Sequence, residues 1–157
     1  NDALAANWQN WNWNQQSVDL ASTGKYSGTR GIRAVLNAYG GFSVGYGGSA
    51  LAASNYSGLS SKVFQQGRGN KLEVLVYQDD DTVFGKTVIT LQAKTWQSVT
   101  LSWAQLGNPS KVKRIAFKDG SGSGTDIYLD DIVLTATTTP STTVWKLRPG
   151  MNLGHGF

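Results

Sequence analysis

The chain has 157 residues, no cysteine and one histidine, His155, near its C-terminal end. These counts exclude disulfides, thiolate metal sites and a Ser–His–Asp triad in the body of the chain. Only 15% of the residues are charged, with a formal net charge of +4, so the polar surface must consist largely of Ser, Thr, Asn, Gln and Gly. Such a surface suits an uncharged, polyhydroxylated partner better than a polyanion. No apolar run is long enough for a transmembrane helix, so no membrane partner is expected.

The first element is the aromatic segment NWQNWNWN at 7–14, which holds three of the six tryptophans. Strand alternation places Trp11 and Trp13 on one face and directs Trp8 away from them. We therefore expect Trp8 in the core. Asparagines surround Trp11, which favours an exposed platform for this ring, whereas for Trp13 core and platform remain equally open.

Six further segments alternate apolar and polar residues with the period of two that indicates strands. They are RGIRAVLNA, KLEVLVYQ, KTVITLQ, WQSVTLSW, KRIAFK and DIYLDDIVL. Turn signals such as STGKYSG, YGG, QDDD and DGSGSG separate them, and SWAQLG predicts one short helical turn. Many short strands at near-regular spacing predict an all-β fold, a two-sheet antiparallel β-sandwich or jelly roll.

The remaining large aromatic residues also divide between core and binding face. Tyr39 precedes two glycines, which allow close approach to the backbone, and glycines flank Tyr46 as well. For these two tyrosines core and platform are equally open. Tyr77 lies opposite the valines of its own strand and is therefore expected on a binding face. Trp96 and Trp103 flank an apolar alternation, and we expect both to cap the core.

Catalysis is disfavoured by the acidic residues. The chain has a single glutamate, Glu73, and most aspartates lie in turns or beside one another, whereas glycoside hydrolysis usually needs two carboxylates flanking the bond. A binding module is therefore the favoured hypothesis, and a small jelly-roll glycanase is the alternative. The only tight basic cluster, KVKR at 111–114, predicts a solvated edge, so we expect no nucleic-acid partner. A structural spacer without any ligand is a further alternative.

The composition changes at Ala136, where a Thr-, Ser- and Pro-containing tract begins. Such a tract is typical of an extended linker. We therefore predict a domain at 1–135, a linker at 136–144, and the truncated start of another domain at 145–157, which is too short to fold alone.

Three segments resemble the β-sandwich carbohydrate-binding modules attached to bacterial cellulases. They are NWQNWNWNQQSVDLAST, TWQSVTLSWAQLGNPSKVKRIAFKDGSG and IYLDDIVL. The pattern is similar to the β-glucan-binding group that contains families 4, 11 and 30, with family 81 as the nearest specific family. The tail LRPGMNLGHGF resembles the opening strand of glycoside hydrolase family 5 endoglucanases, although His155 stands where asparagine is common. The resemblance implies a secreted, monomeric module N-terminal to a covalently linked endoglucanase.

What the resemblance implies for function is non-catalytic binding of β-1,4-glucans: cellulose chains and cello-oligosaccharides, xyloglucan or mixed-linkage glucan. It implies a cleft in which the rings of Trp11 and Tyr39 stack on sugars. The other residues expected there are Trp13, Tyr46, Tyr77, Gln78, Lys118 and Asp119.

The resemblance also implies a structural calcium ion. Asp2 and Asp131 would supply carboxylate ligands, and backbone carbonyls of TGKYSG would complete an oxygen shell of the kind calcium prefers. The alternative is that Asp131 and its neighbour Asp130 only terminate hydrogen bonds at a sheet edge.

Overall fold

The computed structural model describes residues 3–137 and 142–144. These residues form twelve β-strands and two short 3-10 helices, Ala53–Asn55 and Ala104–Leu106. The strands are β1 (Trp8–Asn10), β2 (Trp13–Ser22), β3 (Gly31–Tyr46), β4 (Leu51–Ala52), β5 (Tyr56–Gln65), β6 (Lys71–Tyr77), β7 (Val83–Thr90), β8 (Trp96–Ser102), β9 (Lys111–Val112), β10 (Arg114–Asp119), β11 (Thr125–Ala136) and β12 (Thr142–Thr143). Among the described residues, no helix has the length and apolar character needed to cross a membrane.

The long strand β3 belongs to two sheets. Its first half pairs with β2 and β11, and its second half pairs with β1 and β10. The back sheet therefore has the order β2–β3–β11–β5–β8, and the front sheet has the order β1–β3–β10–β6–β7. Every strand pair in both sheets is antiparallel. The predicted two-sheet antiparallel β-sandwich is confirmed.

The strand changes sheets at a bend. Tyr39 has a left-handed φ of 60°, and a Cβ on Gly40 would lie 2.1 Å from the carbonyl oxygen of Asn14. The backbone of β2 therefore approaches β3 so closely that only glycine fits at this point. The predicted turn at YGG (39–41) is thus a bend inside one continuous strand.

The core lies between the sheets and is lined by the inward-facing residues of each strand. Phe42 of β3 and Phe117 of β10 lie in its centre with ring centroids 6.5 Å apart and no exposed surface. The core prediction for Trp8 is confirmed, since its side chain is buried and packs edge-on against Tyr46. Trp103 also packs against the core as predicted, and its indole N–H donates to two backbone carbonyls.

The core prediction for Trp96 is wrong. Its Cα partner is Phe64, on the outer face of the back sheet, and its ring contacts Phe64 and Tyr26 there. The side chain is partly exposed. The large apolar area of an indole suggested burial, but its place in the strand alternation directs it outward.

Part of the predicted linker packs on the domain. Strand β12 pairs with β11, and Val144 is buried, with its N–H donating to Ile132 and its carbonyl accepting from Ala5. Residues 138–141 of the predicted linker and the whole segment 145–157, which includes His155, lie outside the described residues. The division into domain, linker and second domain otherwise stays a prediction.

A buried carboxylate holds the bend of β3 in place. Asp119, at the end of β10, has no exposed surface. It accepts hydrogen bonds from the backbone N–H groups of Tyr39, Ser121, Gly122 and Gly124 at 2.9–3.1 Å and from the Ser121 hydroxyl at 2.6 Å. Burial acts to raise the pKa of Asp119, but these hydrogen bonds outweigh it and lower the pKa below its ordinary value. The ionised carboxylate therefore connects the bend to the loop after β10.

We expect Asp119→Ala to lower the free energy of unfolding by about 3 kcal/mol at neutral pH, because several buried donors lose their acceptor. Since the folded pKa lies below the unfolded one, the stabilisation by Asp119 is present above pH about 4 and declines as pH falls through the folded pKa. Urea unfolding at neutral and acidic pH measures both effects. The exposed turn residue Asp81, changed to Asn, is the control. A stability loss that stays constant down to the lowest pH would contradict this assignment.

Candidate functional site

The candidate site is the outer face of the front sheet, here called the front face. Antiparallel register arranges its side chains in three rows across β6, β10 and β3. The rows are Tyr77, Arg114 and Gly45; Leu75, Ala116 and Ser43; and Glu73, Lys118 and Gly41. The middle row is small or apolar and buried, so it forms a floor between two more polar rows.

Two indole rings lie against β3 at the glycine positions of these rows. A Cβ on Gly45 would lie 2.2 Å from the ring of Trp11, and a Cβ on Gly41 would lie 2.4 Å from the ring of Trp13. No other residue leaves room for a ring at these points. The two contact points are four residues apart, or about 13 Å along the strand.

Hydrogen bonds and packing hold both tryptophans against the sheet. The indole N–H of Trp13 donates to the carbonyl of Tyr39 at 3.0 Å, and its ring packs on the buried cluster of Leu75, Tyr77 and Ala116. The backbone N–H of Trp11 donates to the Ser43 carbonyl at 2.8 Å. Both indoles remain partly exposed, so each offers ring surface to a ligand.

Arg114 stands among the three aromatic rings of the front face. Its guanidinium carbon lies 4.5 Å from the ring centroid of Tyr77, 5.4 Å from that of Trp13 and 5.7 Å from that of Trp11. The same group donates to the Ser43 hydroxyl, the Asp80 carbonyl and the Trp11 carbonyl at 2.6–3.0 Å. The prediction of a solvated edge at 111–114 is therefore wrong for Arg114, which positions the rings through cation–π contacts and backbone hydrogen bonds.

Two clefts open on the front face, one beside each indole. The cleft at Trp13 has a volume of about 340 Å³ and is lined by Trp13, Glu73, Leu75, Tyr77, Val83, Lys86 and Lys118. In it, the Glu73 carboxylate lies 3.5 Å from the Lys86 ammonium and 3.6 Å from the Lys118 ammonium. The cleft at Trp11 measures about 400 Å³ and is lined by Trp11, Asn12, Asp80, Asp81 and Arg114. Each indole thus has both hydrogen-bond donors and hydrogen-bond acceptors beside it.

The structure brings four of the predicted site residues together on the front face: Trp11, Trp13, Tyr77 and Lys118. Tyr77 is only 4% exposed because Arg114 and Trp13 cover it, so it supports the site more than it offers a stacking surface. Burial raises the pKa of its hydroxyl, against the opposing charge of Arg114, and the phenol is neutral at physiological pH. Tyr39 extends the face, since its 55% exposed ring lies 5.5 Å from the Lys118 ammonium.

The other three predicted residues have structural contacts. Tyr46 packs on Trp8 at the edge of the core. The side-chain carbonyl of Gln78 accepts hydrogen bonds from the backbone N–H groups of Ser110 and Lys111. Asp119 is buried beneath the bend of β3. None of the three contributes an open surface to the front face, and for Tyr46 the alternation with Phe42 and Val44 was a sequence signal for the core.

One predicted calcium ligand, Asp131, lies beside Asp130 in the middle of β11, where the register with β5 shifts. The carboxylate of Asp130 is buried and accepts from the backbone N–H groups of Tyr26 and Ser27, while the carboxylate of Asp131 accepts from the Ser27 hydroxyl at 3.0 Å. Burial raises the pKa of Asp130, and the neighbouring Asp131 charge acts in the same direction. Tyr26 and Ser27 of the TGKYSG segment therefore contact β11 through N–H and hydroxyl groups.

Asp2, the other predicted ligand, lies outside the described residues. Within the described part of the chain, no three His, Cys, Asp or Glu residues cluster in a way that would hold a metal ion. A calcium ion here would depend on Asp131, Ser27 and backbone carbonyls, which are oxygen donors of the right kind. The calcium site stays a prediction.

Sequence comparison identifies the family. Residues 1–137 match the family model described as expansin-like protein C-terminal domain. The chain belongs to this family. No curated protein matches the chain.

Solved structures with the same fold are family 29 carbohydrate-binding modules. One is 18% identical, with a TM-score of 0.61 over 83% of this chain and 82% of that one. A variant complexed with cellulohexaose is 15% identical, with a TM-score of 0.61 and coverage of 84% and 88%. A variant complexed with mannohexaose is 14% identical, with a TM-score of 0.59 and coverage of 84% and 89%. The resemblance to carbohydrate-binding modules is thus confirmed at the level of the fold.

We expect Gly45→Ala to displace the indole of Trp11 while the fold is retained, because the new methyl group would occupy the position of the ring. The indole N–H resonance of Trp11 in a ¹H–¹⁵N spectrum should shift, and that of the core residue Trp103 should not. Gly48→Ala is the matched control, since its methyl group would meet only the edge of Tyr46. An unchanged Trp11 resonance in the Gly45 variant would contradict the close contact.

Proposed function

We propose that the front face binds β-linked polysaccharide chains and does not cleave them. The observation that carries this proposal is the pair of partly exposed indoles held against glycines of one strand, with polar clefts beside them. Aromatic rings stack on the apolar face of a pyranose ring much as they stack on other CH-rich surfaces. Because the ring contacts are about 13 Å apart along β3, a ligand that reaches both must be an oligosaccharide or a polymer.

Hydrogen-bonding groups beside the rings would fix the orientation of the chain. At the Trp13 end, Lys118, Lys86 and Glu73 supply ammonium donors and a carboxylate acceptor. At the Trp11 end, Asn12, Asp80 and Asp81 line the cleft. Charged and amide groups of this kind suit sugar hydroxyls, which donate and accept equally. Tyr39, on the far side of Lys118, extends the surface available to a longer chain.

The arrangement of carboxylates disfavours the glycanase alternative. Glu73 and Asp80 stand at opposite ends of the front face, beside different indoles. Asp80 follows Tyr77 in the chain, and Tyr77 is four strand positions, or about 13 Å, from Glu73. The two carboxylates of a glycoside hydrolase are only about 5–10 Å apart. Glu73 also forms ion pairs with Lys86 and Lys118 at 3.5 Å and 3.6 Å. Both the family and the structural neighbours agree with binding rather than catalysis.

We propose β-1,4-glucans as the ligand class: cellulose chains and cello-oligosaccharides, xyloglucan or mixed-linkage glucan. Support comes from the solved complex of a family 29 module with cellulohexaose. The mannohexaose complex of the same kind of module makes a mannose-based hexaose the second ligand to test. Attachment to a family 5 endoglucanase, secretion and a monomeric state are parts of the same proposal. Binding would then hold the attached enzyme at high effective concentration near the polymer.

We expect Trp11→Ala to weaken binding of cellohexaose by at least about fivefold, since loss of the ring removes about 1–3 kcal/mol of apolar contact and stacking. Isothermal titration calorimetry measures the affinity. Phe84→Ala is the matched control because this exposed ring lies beside Gly107 at the edge of β7, outside both clefts. Equal losses in the two variants, or no heat from the folded wild-type chain, would refute the proposed site.

We also expect the affinity for cellohexaose to change by less than about twofold between about 0.05 M and about 0.5 M NaCl. A neutral sugar releases no counterions, whereas a nucleic-acid partner would show a steep loss of affinity with salt. The same calorimetric titration at the two salt concentrations measures this dependence. A large decrease at high salt would mean that charge interactions rather than stacking dominate the binding, and it would count against the proposed stacking site.

A further inference from the structure

The outer face of the back sheet carries a second group of aromatic rings. Tyr128, Phe64 and Trp96 are Cα partners across β11, β5 and β8, so they form one row perpendicular to the strands. Their ring centroids are 5.8 Å and 5.4 Å apart. Tyr26, from the loop after β2, lies edge-on against Trp96 at 5.6 Å. These four residues are called the back aromatic row.

This row does not belong to the core. The neighbouring residues Val63 and Val99 point between the sheets and are buried, so alternation directs the row to the opposite side. Phe64, Trp96 and Tyr128 are partly exposed, and Tyr26 is 49% exposed. Single exposed aromatic residues are common on protein surfaces, but a contiguous row across three strands is not. Contiguous exposed apolar patches of this kind mark interaction sites.

A loop covers one end of the row and leaves a cleft at the other. A Cβ on Gly24 would lie 2.5 Å from the ring of Tyr128, so the loop backbone rests on that ring. Beyond it is a cleft of about 270 Å³, lined by Thr23, Gly24, Lys25, Phe64, Gln66, Trp96 and Tyr128. This volume is just below the range of about 300–1,000 Å³ for drug-sized ligands, which fits a sugar unit better than a peptide segment or a helix.

The polar groups around the row match an uncharged, hydroxylated ligand. The carboxylate of Asp126 is held by a bidentate contact with Arg33 at 2.7 Å and 3.1 Å, and it does not line the cleft. Lys62 lies 4.7 Å from the ring centroid of Tyr26 and donates to the Ser98 hydroxyl. The described lining therefore combines ring surface with hydroxyl, amide and ammonium groups and contains no carboxylate.

We propose that the back aromatic row is a second carbohydrate site, in which a pyranose unit stacks on Trp96 and Phe64 beside Lys25 and Gln66. It lies on the opposite side of the sandwich from Trp11 and Trp13, so one domain engages two glycan segments at once. The choice of ligand class rests on the proposed function of the front face, but the site itself rests on separate residues.

The test is a titration of the ¹⁵N-labelled chain with cellohexaose, and in parallel with mannohexaose, followed through the tryptophan indole N–H resonances. Trp11 and Trp13 report on the front face, Trp96 reports on the back row, and the core residue Trp103 is the internal control. We expect the Trp96 resonance to move in the wild-type chain and equally in Trp11→Ala. In calorimetry, we expect about two binding sites in the wild type and about one in Trp96→Ala.

A second variant covers the case in which Trp96→Ala does not fold. Tyr26→Ala removes an exposed ring from the row and leaves its backbone N–H donating to Asp130, and we expect it to weaken only the binding that the Trp96 resonance reports. A Trp96 resonance that stays still while those of Trp11 and Trp13 move would overturn the second site and keep the proposed function. Movement of Trp96 alone would support the second site and refute the front face. No movement of any resonance with either sugar would refute both.

Discussion

The architecture depends on a bend in one strand. β3 begins in the back sheet, turns at Tyr39 and continues in the front sheet, and the ionised carboxylate of Asp119 ties that turn to the loop after β10. A charged side chain without exposed surface is costly unless its acceptor capacity is used. Here four backbone N–H groups and one hydroxyl use it. The same strand consequently supplies core residues to both sheets and glycines to the front face.

The front face follows from that strand. Gly41 and Gly45 lie on the outer side of its second half. Trp13, the first residue of β2, and Trp11, two residues before it, place their indoles on these glycines. Arg114, on the neighbouring strand, stands among the rings and holds the backbone of Trp11. Core, bend and binding face are therefore parts of one set of contacts, which explains why a small, cysteine-free domain can present large aromatic rings in fixed positions.

Alternation within a strand predicted much of this. It placed Trp11 and Trp13 on one common face and Tyr77 on the face opposite the valines of its strand, and it predicted the sandwich itself. It also contained two signals that the predictions did not follow: Trp96 is out of phase with Val99, and Tyr46 is in phase with Val44. Both residues lie where strict alternation puts them.

The roles of Arg114 and Glu73 required knowledge of strand pairing. Their positions depend on β6, β10 and β3 being neighbours in a particular register, although other strands separate them in the sequence. Periodicity describes one strand at a time, so it cannot show which residues of distant strands share a row. The buried role of Asp119 was hidden for the same reason, because its donors come from two separate segments.

The seating of the indoles on glycine has a thermodynamic consequence. A ring that rests on backbone and donates its N–H to a carbonyl, as Trp13 does, has few alternative rotamers before any ligand arrives. Binding then costs little side-chain conformational entropy, because the surface is already preorganised. The conformational entropy lost on binding would then be mainly that of the ligand. A glycan whose linkages keep it extended loses less of it on this rigid surface than a flexible glycan of the same composition.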